Sequence, residues 1–170
     1  MTTPAKWPQK VRLTPYHWFD VCMLTYHRVM SKHPTIRDIS MLRSGVQSHY
    51  PGMGGEYAWC LLRGIPVNRE ISPYGDGKKA DYEINGVKFE IKTVTWQGDK
   101  PELKLEKKEM FEDRNYVLVR QCALDEFEIY PAIPLKLFLQ YAKTKDYGNG
   151  ERKYLTGEYI IAIMSEFPEI

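Results

Sequence analysis

Two carboxylates and an ammonium, Asp81, Glu90 and Lys92, have the types and the spacing to do chemistry. They flank Asn85-Gly86, a dipeptide that favours the two-residue turn of a β-hairpin because both residues tolerate positive φ. With that turn, Ile84 pairs with Val87, Glu83 with Lys88, Tyr82 with Phe89 and Asp81 with Glu90. Side chains alternate faces along a strand. One face then holds Tyr82, Ile84, Val87, Phe89 and Ile91, an apolar set suited to a core. The other holds Asp81, Glu83, Lys88, Glu90 and Lys92. Asp81 and Glu90 come to lie opposite each other, with Cβ atoms about 4.5–5.5 Å apart, and like charges so placed repel. A hard divalent ion such as Mg²⁺ relieves that repulsion, taking carboxylate oxygens and keeping waters for a phosphate-bearing substrate. The plainer alternative is a solvated hairpin face on which Lys88 and Lys92 offset the acids, an arrangement common on half-exposed sheets.

The elements that must position these groups are legible in part. Thr14 is a good N-cap with Pro15 at the first helical position, and the apolar spacing predicts a helix to Lys32, closed before Pro34. A second helix fits Thr35 to Ser44, with Ile36, Ile39 and Leu42 three apart. His49 to Gly55 reads as a loop. A third helix, Gly55 to Arg63, puts Tyr57, Ala58, Leu61, Leu62 and Ile65 on one stripe and Glu56 on the other side, beside Cys60 and Arg63. Beyond Gly64 the period changes. Strands are expected at Ile65–Ile71, on either side of Asn85-Gly86, at Tyr116–Val119, Glu126–Tyr130 and Tyr159–Met164. The charged stretch Pro101–Asp113 and the run Pro134–Lys143 read as helices, and Ser72–Lys79 and Gly148–Gly150 as loops. A helical start followed by a mixed body points to an α/β or α+β class.

Composition bounds the rest. Of 170 residues 43% are hydrophobic and 13% aromatic, enough for a core, so wholesale disorder is excluded. No apolar run reaches the length of a membrane span, so no membrane partner is expected. The first residues, MTTPAKWPQK, lack the apolar block of a secretory signal, which points to the cytoplasm. Cys22, Cys60 and Cys122 suit a reducing compartment and argue against a disulfide framework or a zinc site. Twenty-four basic against 22 acidic residues leave a net charge of +2, which neither demands nor excludes nucleic acid.

Asp81, with Glu90-Ile91-Lys92 nine positions on, resembles the motif of the PD-(D/E)xK nuclease superfamily, which includes many restriction endonucleases, junction resolvases and phage exonucleases. Lys79-Ala80-Asp81 lacks the proline of the family name, a position that varies in the family. The resemblance implies a restriction-endonuclease-like α/β core, a mixed β-sheet flanked by helices, over residues 51–170, with a helical N-terminal extension over residues 1–50. Its motif-bearing part covers about residues 54–120. It further implies a Mg²⁺-dependent endodeoxyribonuclease, Mn²⁺ substituting, with Asp81, Glu90 and the Ile91 carbonyl holding the metal. Lys92 is then the catalytic cation and Glu56 a third acidic ligand from the helix before the catalytic sheet. A DNA partner, a homodimer and a bacterial, archaeal or phage-encoded cytoplasmic protein complete the expectation. A junction resolvase or exonuclease of the same superfamily, or a non-catalytic DNA-binding or interaction domain on this core, stand as alternatives.

Lys78 and Lys79 are candidate contacts to a DNA backbone, and Trp96 and Gln97, just past the active strand, to the substrate. Tyr74 to Lys79 has neither the spacing of a phosphate-binding loop nor a Ser or Thr after its lysines, and reads as the turn before Asp81. His17, His27, His33 and His49 include no pair at helical metal-ligand spacing. Thr35–Ser48 lacks a convincing recognition helix for a helix-turn-helix.

Overall fold

A computed structural model describes residues 6–32, 39–70, 79–95, 100–148 and 150–167. It is an α/β protein in which a mixed sheet is covered on both faces. Strand β5 (Arg114–Gln121) lies at its centre, and its alternation shows how the layers divide. Val117 and Val119 enter one core, Tyr116 and Leu118 the other, and all four are fully buried. A strand apolar on both sides is what a doubly covered sheet requires.

The first core is closed by α1 (Pro15–Lys32) and α2 (Ile39–Arg63), which pack Val21, Leu24, Met53, Tyr57, Ala58 and Trp59 over the sheet. The helix expected from Thr14 is α1: the Trp18 N–H donates to the Thr14 carbonyl, and the Thr14 hydroxyl accepts from the His17 N–H. The expected loop at His49–Gly55 is instead part of the long α2, continuous through Pro51. Its glycines explain why. A Cβ on Gly54 would stand 2.7 Å from the Phe127 ring, and one on Gly55 would stand 2.0 Å from Thr93 Oγ1. Close packing on the sheet outweighs a helical cost of about 1 kcal/mol per glycine.

Strands β2 (Tyr82–Ile84) and β3 (Val87–Thr95) form the hairpin in the expected register, Tyr82 opposite Phe89, Glu83 opposite Lys88 and Ile84 opposite Val87. Asn85 and Gly86 take φ of 51° and 79°, as the tight turn demands. Tyr82 and Phe89 meet Trp59 of α2 at ring-centre distances of 5.2 and 5.3 Å. Val87, expected in the core, is 43% exposed at the hairpin tip. β3 pairs in parallel with β5, β6 (Glu126–Ile129) antiparallel with β5, and β1 (Gln9–Arg12) antiparallel with β6, giving the order β1-β6-β5-β3-β2. Thus β1 and α1 join the sheet and core built by later residues, and position 50 falls inside α2.

The second core lies beneath α3 (Leu135–Tyr141), α4 (Gly157–Glu166) and a three-stranded sheet of order β4-β9-β8. In that sheet β4 spans Glu102–Leu105, β8 Lys143–Asp146 and β9 Glu151–Thr156, while the short β7 (Ile133–Pro134) pairs with β5. Three expectations fail here. Pro101–Asp113 is not a helix: Leu103 and Leu105 alternate with Glu102 and Lys104, a period of two that makes a strand, followed by a 3₁₀ turn at Lys107–Glu109. The parallel connection from β3 to β5 therefore passes through a strand of the second sheet rather than a helix. Tyr159–Met164 lies in helix α4, started by the Thr156 hydroxyl accepting from the Tyr159 N–H, with Ile160 and Ile163 one turn apart in the core. Residues 65–70 form no strand. Ile71, the rest of the loop to Lys78, and the first residues of the expected helix at Thr35 lie outside the described residues.

Candidate active site

Because Ile91 enters the first core, its neighbours Glu90 and Lys92 emerge on the opposite face of β3, beside Tyr116 and Leu118 of β5. Asp81 sits one residue before β2 and leaves the ladder. Its Oδ2 accepts from the Ile91 N–H at 2.7 Å, so the carboxylate takes the place a strand partner would have held. Asp81 thus comes within electrostatic reach of Glu90 and Lys92, but through the Ile91 N–H and not as the ladder partner of Glu90 that the alternation predicts.

The electrostatics around Asp81 are unfavourable to its charge. Burial, and then the neighbouring Glu90, raise its carboxyl from 3.8 to about 6, although the Ile91 N–H, Lys92 and Arg28 oppose the rise. Lys92 is pulled down by burial, yet Glu109 and Glu90 more than compensate, and its ammonium is held above the ordinary lysine value. Its Nζ lies 3.3 Å from Glu90 Oε1 and 3.0 Å from Glu109 Oε1.

Two partners of this group were not singled out in the sequence. Arg114, only 4% exposed, pairs with Glu90 and lies 3.9 Å from the centre of the Phe111 ring. Parity along β5 puts Arg114 on the face of Tyr116, but only the parallel register with β3 brings that face to Glu90. Glu109 comes from the 3₁₀ turn. The Glu109 carbonyl accepts from the Tyr116 hydroxyl at 2.6 Å, and that hydroxyl accepts from the Phe111 N–H at 2.8 Å, which fixes the turn over the site. No sequence spacing signals this contact.

Glu56 is placed by α2, in the layer on the other face of the sheet. Arg28 of α1 donates from Nη1 to both of its oxygens at 3.3 Å and from Nη2 to the Asn68 carbonyl at 3.2 Å. Among the described residues, no group of three or more His, Cys, Asp or Glu comes together so as to hold a metal ion. Lys79 forms an ion pair with Glu70. Lys78, Trp96 and Gln97 lie outside the described residues.

A groove of about 770 Å³ runs along the free edge of β2, between residues 65–69 and 79–85, and Asp81 forms part of its wall. Arg69, Lys79 and Lys88 also line it, each paired with a carboxylate, Asp20, Glu70 and Asp113 respectively. Among the described residues, no helix is long and apolar enough to cross a membrane. Comparison with known proteins finds no matching family model, no matching curated protein and no matching solved structure.

Proposed function

We propose that this chain is a Mg²⁺-dependent endodeoxyribonuclease built on a restriction-endonuclease-like core, acting through Asp81, Glu90 and Lys92. The observation that carries the reading is the half-buried Asp81 carboxyl, raised to about 6 beside Glu90 on a hairpin whose Tyr82, Ile84, Phe89 and Ile91 pack into the core. Two acids crowded so that one resists ionisation form an arrangement that a divalent cation stabilises and that stability alone disfavours. Mg²⁺ is ordinarily held by one or two carboxylates, with waters and substrate phosphate completing its shell, so Asp81 and Glu90 suffice as its acidic ligands, with the Ile91 carbonyl as third donor. Bound there, the ion supplies a lowered pKa for a water and charge neutralisation at the phosphate. Lys92, kept protonated by Glu109 and Glu90, acts as a fixed cation that orients the attacking water and offsets charge developing on the phosphate oxygens. Arg114 holds Glu90, and Arg28, which pairs with Glu56, also favours the charged form of Asp81, so that Glu56 stands near enough to serve the ion directly or through a water.

A second reading has its own observation. Glu90 is already paired with both Arg114 and Lys92, and Asp81 already accepts a backbone hydrogen bond. A closed network of this kind suits a DNA-binding domain that does not hydrolyse. Incubation of plasmid, linear and four-way-junction DNA with Mg²⁺ or EDTA separates the two: nicked or linearised product only with Mg²⁺ supports the nuclease, and binding without product supports the alternative.

A further inference from the structure

The outer face of the three-stranded sheet carries basic residues interleaved with tyrosines. Paired residues of antiparallel strands share a face, so Lys104, Tyr154 and Lys143 stand in one row, and Lys145 and Arg152 in the next. The inner face is closed by Leu103, Leu105 and Leu155, so this basic row points away from the core. Tyr147, which begins the turn after β8, lies over it. Its hydroxyl donates to Glu102 at 2.9 Å, and Lys104 and Lys145 place their ammonium groups 4.3 and 5.1 Å from its ring centre. Lys143 leans toward Tyr159 in the same way, at 5.9 Å. Four cations therefore share a face with two carboxylates, Lys104 pairing with Glu102 at 3.2 Å and Arg152 with Glu106 at 2.8 Å, which leaves a local excess of positive charge. Among the described residues, neither Lys143 nor Lys145 makes an ion pair with a carboxylate. Lysines spread along β8 and steadied by aromatic rings, rather than neutralised by acids, keep their charge available to a polyanion.

This face is continuous with the candidate active site. Arg152 Nη2 lies 2.8 Å from Glu106 Oε1, the Glu106 N–H donates to Glu109 Oε2 at 2.9 Å, and Glu109 Oε1 holds Lys92. We infer that the β4-β9-β8 sheet is a DNA-binding platform. On it Lys104, Lys143, Lys145 and Arg152 grip successive phosphates of the strand whose scissile bond lies at Asp81, Glu90 and Lys92. The inference rests on the nuclease reading for the position of that bond, but the grip itself needs no hydrolysis.

The test measures binding of a short fluorescein-labelled duplex and its single strand by anisotropy, in EDTA, between about 50 and 200 mM salt. The double variant Lys143→Gln, Lys145→Gln changes two exposed side chains on an edge strand and leaves the core untouched. Its log K against log salt should be flatter than wild type by about 2, with weakening uniform across DNA sequences. Lys10→Gln, on β1 at the far edge of the main sheet, should flatten it far less. Tyr147→Phe, which removes only the hydroxyl bonded to Glu102 and keeps the ring, should bind nearly as wild type, whereas Tyr147→Ala should bind more weakly. An unchanged slope in the double variant, or equal effects from Lys10→Gln, would overturn the platform. Intact salt-dependent binding that fails in the double variant, with no cleavage by wild type in Mg²⁺, would uphold the platform and remove the nuclease.

Discussion

Replacing Asp81 by Asn asks whether the fold tolerates its own charge at this site. The amide oxygen can still accept from the Ile91 N–H, so the ladder end is preserved while the negative charge beside Glu90 is removed. A carboxyl whose value rises from 3.8 to about 6 on folding holds its proton more tightly in the folded chain, by about 3 kcal/mol at most. The part that Asn recovers is about 1–3 kcal/mol. At this chain length the gain raises the melting temperature by about 2–12 °C. The sign in pH follows. Wild type keeps the full contribution of a protonated Asp81 below about pH 4 and loses it as pH rises through about 6. The variant should therefore be the more stable protein at pH 7 in EDTA, and the two should converge as pH falls toward 4. Circular dichroism melts across that range read the effect directly. Millimolar Mg²⁺ should then raise the wild-type midpoint and move the variant much less, since Asp81→Asn removes one of the two acidic ligands and its charge. A variant less stable than wild type at pH 7, or a gap that does not change with pH, would refute the picture of a disfavoured, metal-ready carboxylate.

Lys92→Ala should lower the single-turnover cleavage rate by about 10²-fold or more while DNA binding persists; a wild-type rate would transfer the chemistry elsewhere. Glu90→Gln should abolish Mg²⁺-dependent cleavage, checked by plasmid nicking, because it removes one of the two acidic ligands. Arg114→Ala leaves Glu90 without its buried guanidinium and should cost about 3–5 kcal/mol in urea denaturation. Gly55→Ala should destabilise by about 1–3 kcal/mol, opposite in sign to the gain at an exposed helical glycine, and Thr93→Ala in the same chain should recover part of it.

The hairpin was legible from residues 81–92 alone because Asn-Gly dictates the turn and a period of two assigns each side chain to a face. That is local information, and it sufficed to set the register and to put Glu90 and Lys92 on one face, whereas Asp81 leaves the ladder to bond the Ile91 N–H. The same logic reached α1, whose cap and first-turn proline are adjacent in sequence, and the buried strand β5. It failed where local preference and packing disagree. Glycines in His49–Gly55 read as a loop, and only Phe127 and Thr93, far along the chain, make a helix without Cβ atoms the better fit. Tyr159–Met164 is apolar enough for strand or helix, and the core position of Ile160 and Ile163 decided it. The surroundings of the site belong to tertiary structure throughout. Arg114 and Glu109 reach Glu90 and Lys92 through the parallel β3–β5 register and a turn pinned by Tyr116, and Arg28 reaches Glu56 through the packing of α1 on α2. Turn chemistry and strand alternation act between neighbours and can be read along the chain. The charge balance that sets the Asp81 and Lys92 protons is a sum over groups from four separate segments, which only folding brings within range of one another.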